Sequence, residues 1–60
     1  MNRYEIEGQE YEAMNEYQAV KQAYKMAEWI AFGGYDENET WNYVAGFRSG
    51  HANVIVKRIA

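Results

Sequence analysis

EYQAVKQAYKMAEWIAFGG, residues 16–34, sets how much of this chain is helical. Ala13, Tyr17, Val20, Tyr24, Ala27 and Ala31 recur at spacings of four and three, the repeat of one helical face. Ala23 and Ile30 widen that face, while Gln18, Lys21, Gln22 and Lys25 fall on the far side. Asn15 is placed to cap the first turn, with Gln18 three residues on in the capping-box position. Gly33-Gly34 supplies a stop, because glycine takes the left-handed conformation after a helix cheaply. The pattern predicts a helix from about Glu16 to Phe32. Ala19, Ala23 and Ala27 would form a row of small side chains along it, open to close approach by another element.

Upstream, RYEIEGQEYE (residues 3–12) alternates acid with tyrosine. With Glu7-Gly8 as a two-residue turn, Tyr4 faces Tyr11 and Glu5 faces Glu10 across a hairpin spanning roughly Asn2 to Ala13. Glycine at the second turn position suits a type I′ turn. One side of the hairpin is then apolar and the other negative, although like charges placed directly opposite each other are destabilising.

Downstream, Asp36 and Glu39 repeat the capping-box spacing, and acids suit a first helical turn. Trp41, Val44, Ala45 and Arg48 follow at helical spacing, and Gly50 is a natural stop. A glycine inside that helix, Gly46, costs roughly 1 kcal/mol against alanine and suggests close packing there. The last segment, NVIVKRIA (residues 53–60), is rich in β-branched residues and suits a strand. A lone hairpin is marginal in water, and a third strand would complete a sheet. The expected fold is therefore α+β, a small ββααβ domain with the N-terminal hairpin and the C-terminal strand packed on two helices. The alternative continues the second helix through residues 37–59, giving a hairpin followed by two long antiparallel helices.

At 60 residues the chain is expected to form a single domain, residues 1–60, and to be marginal alone. It has no Cys and one His, so disulfides and thiolate metal sites are excluded and no metal or cofactor is expected. Aromatic residues make up 17% of the chain. They either build a dense core or wait for a partner. The net charge is −3, unevenly spread. Residues 1–16 carry five Glu against one Arg, whereas residues 40–60 carry Arg48, Lys57 and Arg58 and no acid. A basic stripe able to neutralise phosphates is missing, so direct nucleic-acid binding is not expected. No apolar run approaches the ~20 residues of a membrane span, and with a polar, acidic N-terminus no signal peptide is expected.

Two acidic clusters are the candidate contact surfaces: Glu5, Glu7, Glu10 and Glu12 on the hairpin, and Asp36, Glu37 and Glu39 in GGYDENET, with Tyr35 beside them. An acidic surface attracts basic partners and speeds encounter. The plainer role of the hairpin acids is a solvated sheet back, its repulsion relieved by Arg3 and by Lys57 or Arg58. The plainer role of the loop is helix stop and helix start. Its acids do not have the spacing of a calcium loop. Trp29 would sit among Gln18, Gln22 and Lys25 on the polar helix face, as a partner anchor or covered by a terminus. Trp41 and Phe47 are expected in the core. Catalysis is poorly supported: one Ser, one Thr, one Asp and one His show no productive spacing, and no catalytic residue is assigned.

EGQEYEA leading into EYQAVKQA, and YVAGFRSG, together with small size, acidity and aromatic richness, resemble small proteins that phages and mobile elements make to disable host machinery. Anti-CRISPR proteins and inhibitors of host RNA polymerase are the nearest types. The resemblance implies a stoichiometric binder that blocks a basic, often nucleic-acid-binding, surface of a host protein; carboxylates spaced along the strands would mimic a phosphate row there, and the protein is expected to be a cytoplasmic one of a bacterial host and not an enzyme. The resemblance carries over no functional residues. The alternative is a homodimer with a structural or adaptor role.

Overall fold

A computed structural model describes residues 1–36 and 38–60. The chain runs β1 (Asn2–Ile6), β2 (Gln9–Ala13), α1 (Glu16–Ala23), β3 (Trp29–Asp36), β4 (Thr40–Phe47) and β5 (Gly50–Arg58). The strands form a five-stranded antiparallel sheet in the order β2-β1-β5-β4-β3. The ββααβ arrangement is therefore wrong, and so is its two-helix alternative. Among the described residues a single short helix stands where two were expected, and the segment after it is a β-hairpin.

The N-terminal hairpin has the expected register, Tyr4 opposite Tyr11 and Glu5 opposite Glu10. Glu7 and Gly8 both have positive φ, 52° and 82°, as a type I′ turn requires. The helix start is also as read: Asn15 Oδ1 accepts from the Gln18 N–H at 2.9 Å, and Gln18 Oε1 accepts from the Met14 N–H at 3.3 Å. The helix then ends early. Tyr24 leaves helical geometry while still donating its N–H to the Val20 carbonyl, and one more turn bond, from the Ala27 N–H to the Tyr24 carbonyl, leads into β3.

Packing explains why residues 29–47 become strands. In β4, Trp41, Tyr43, Ala45 and Phe47 alternate with Asn42, Val44 and Gly46, a period of two that points the first set at the helix. Ile30 and Phe32 in β3 pair with Ala45 and Tyr43 on that same side. Gly33-Gly34, expected to stop a helix, instead lies at a bulge in β3, where the pairing shifts between Phe32 and Gly34. The extra residue brings Tyr35 onto the helix side opposite Trp41. Asp36 does not cap a helix but begins the β3–β4 turn. Its carbonyl accepts from the Glu39 N–H, and its Oδ1 accepts from the Asn38 N–H.

The C-terminal segment is a strand, as expected, and it is central. β5 pairs with β4 along its length and with β1 through Tyr4–Arg58 and Glu5–Lys57. The core is Tyr4, Ile6, Ala13, Ala19, Val20, Tyr43, Ala45, Val54 and Val56. The helix crosses one face from β2 at one edge to β3 at the other, resting on Ala19 and Val20, which are wholly buried. Alanine at position 19 lets the helix backbone sit close to the sheet, and burying Val20 contributes about 1.5–3 kcal/mol. Among the described residues nothing covers the opposite face of the sheet, an arrangement antiparallel sheets tolerate.

Candidate functional site

Strand pairing assembles the uncovered face in rows. One row crosses all five strands: Glu10, Glu5, Lys57, Thr40, Asp36. At about 4.8 Å per strand it spans roughly 19 Å. It joins residues from both acidic clusters, which lie more than 20 positions apart in the chain. Beside it, Arg3 reaches both Glu10 and Glu12, at 3.8 and 3.6 Å. These ion pairs are solvent-exposed and contribute at most about 1 kcal/mol each. Within β1, β2 and β5, the three carboxylates of this face meet two cations, Arg3 and Lys57, so the hairpin is much less negative than its acids alone suggest. Asp36 then adds a further negative charge at the far edge.

Further along the face the charges give way to apolar side chains. Ile55 pairs with Asn42, Val44 with Ala31, and His51 with Gly46, whose other partner is Trp29. Ile55 and Trp29 are 60% and 51% exposed. Trp29 therefore belongs to an edge strand rather than to the polar face of a helix. Its indole covers Gly46, where an added Cβ would collide with the ring at Cε2. That contact buries Gly46 and leaves part of the indole open to solvent. An aromatic ring held on one side and free on the other is pre-organised to enter a partner's pocket.

Three of the expected contact residues do not join this face. Glu7 sits in the hairpin turn and accepts a hydrogen bond from the Tyr24 hydroxyl on the helix side. Tyr35 is on the helix side as well, its ring 5.2 Å from that of Trp41. Glu39, at φ 61°, lines a cleft with Tyr35, Trp41, Arg58, Ile59 and Ala60. Glu37 lies outside the described residues. Sequence reasoning missed Val44, His51 and Ile55. The alternation of residues 41–47 was the signal that could have found Val44, but the helical spacing of Trp41, Val44 and Ala45 hid it.

Beneath the sheet, Tyr4 donates to Glu16 Oε2 at 3.3 Å and packs edge-on against Trp41. The Tyr43 hydroxyl is pushed above its ordinary value, first by burial, then by the Glu16 carboxylate and Tyr4. Among the described residues no group of His, Asp and Glu is placed to hold a metal ion. No helix among them is long and apolar enough to cross a membrane. Protein-family models, curated proteins and solved structures show no match to the chain, so the site rests on its own geometry.

Proposed function

We propose that this protein is a small acidic protein-binding module that acts by occupying a basic, nucleic-acid-binding surface of a host protein, in the manner of phage-type inhibitors in the bacterial cytoplasm. The uncovered sheet face is the contact surface. The observation that carries this reading is the row Glu10–Glu5–Lys57–Thr40–Asp36 running beside an apolar zone of exposed Ile55 and Trp29 with half-buried Val44 between them. Acids along a strand row give orientation and a faster encounter with a cationic groove. The half-exposed indole and Ile55 give area that can be desolvated on contact.

The test is capture from a host lysate with three baits: the wild-type chain, the E5K/E10K double variant and W29A. A protein bound by the wild type and lost in both variants is the expected result. Tyr17→Ser, on the exposed side of α1, should keep it. Capture of the same protein undiminished by E5K/E10K would remove the acidic face from the proposal.

A further inference from the structure

The two edges of the sheet are built differently. β2 presents Gln9, Glu10 and Glu12, and charges on an edge strand discourage pairing with another chain. β3 has no charged residue from Trp29 to Tyr35. Trp29, Phe32 and Tyr35 along it are all more than half exposed. The strand is eight residues long, about 27 Å of edge at ~3.4 Å per residue. Among the described residues no strand neighbours its outer N–H and C=O groups.

The bulge decides what fits there. β3 carries one more residue than β4 between Phe32 and Gly34, so a regular strand laid along its outer side would lose register at the same height. A strand with the same extra residue would not. An identical strand, antiparallel about a two-fold axis between Phe32 and Gly33, matches it residue for residue. In that register Ile30 lies across from Tyr35 of the second copy, Ala31 from Gly34 and Trp29 from Asp36. Each of these pairs keeps its face: Ile30 and Tyr35 are on the helix side, and the others are on the uncovered side. The uncharged run 30–35 thus meets its own copy, with Asp36 falling across from Trp29 at each end. We infer that the β3 edge is a self-association surface, closed by the β3 strand of a second copy of this chain into one continuous ten-stranded sheet. The inference does not rest on the acidic row, which stays open to a partner along most of its length.

Sedimentation of the full chain over a wide concentration range tests this. A monomer–dimer equilibrium is expected for the wild type, weakened at least tenfold by Ala31→Lys, which puts a cation on the exposed edge, and unchanged by Gln9→Lys on the opposite edge. Circular dichroism reports whether each variant is folded; should A31K not fold, Tyr35→Lys at a 57% exposed position replaces it. A wild type that stays monomeric at every concentration overturns the inference. So does a dimer untouched by the β3 lysine, or one abolished by E5K/E10K, which would place the contact on the sheet face instead.

Discussion

Trp29 and Gly46 are cross-strand partners on the uncovered face, and the indole of one occupies the space where a side chain of the other would stand. The contact accounts for a glycine in the middle of a strand, a position where glycine normally weakens pairing. It also fixes the orientation of the most exposed tryptophan surface on that face. Gly46→Ala forces the indole off the strand. Because the ring is on an edge and can swing into water, the fold should survive, with a loss of about 1 kcal/mol or less after the β-propensity gain of alanine. The sensitive readout is fluorescence in a W41F background, where Trp29 emission should move to longer wavelength. Unchanged emission would contradict the contact.

Tyr43 gives stability a dependence on alkaline pH. Its folded pKa lies above the unfolded value, chiefly through burial. The neutral hydroxyl therefore contributes fully below about pH 10, the ordinary phenol value, and the contribution is lost as pH rises through the folded pKa. Tyr43→Phe should flatten this part of the profile. Urea unfolding at neutral and strongly alkaline pH measures it, and equal slopes for both proteins would count against the assignment.

Lys57 stands between Glu5 and Thr40 in the charged row, with Glu10 one strand further out. Lys57→Gln leaves Glu5 and Glu10 facing each other without that cation. The cost should be about 0.5 kcal/mol at low ionic strength and should vanish in high salt, where exposed charges are screened. Stability measured at two salt concentrations separates this from a packing effect, which salt would not remove.

Val20 is the side chain through which the helix is anchored to the sheet, with no exposed surface. Val20→Ala should destabilise by about 2 kcal/mol through lost burial and the space left behind. Thermal unfolding of the variant checks this. A loss under half that size would mean the helix settles onto the sheet without it.

Much of the N-terminal third was legible in the sequence. The alternation of Tyr4, Ile6 and Tyr11 with glutamates, a glycine able to take positive φ, and Asn15 three residues before Gln18 are local signals that act within a few residues. The β-branched run at 53–59 was legible for the same reason. Residues 24–47 were not. Tyr24, Ala27 and Ala31 satisfy a helical face, while Ile30, Phe32, Trp41, Tyr43 and Ala45 satisfy a sheet. Local preference does not separate the two.

Local chemistry thus determined the hairpin turn, the helix cap and the extended C-terminal segment. The fold as a whole settled the rest, because β5 is a central strand and needs neighbours on both sides. β1 serves one side only near Lys57 and Arg58, so the chain after the helix must supply β4 along the other and β3 beyond it. The successive pairings of β3 with β4 and β4 with β5, locked to the N-terminal hairpin through β1, override helical spacing at Trp29 and Trp41. They also set Asp36 in one row with Glu5 and Glu10, an alignment no window of sequence contains.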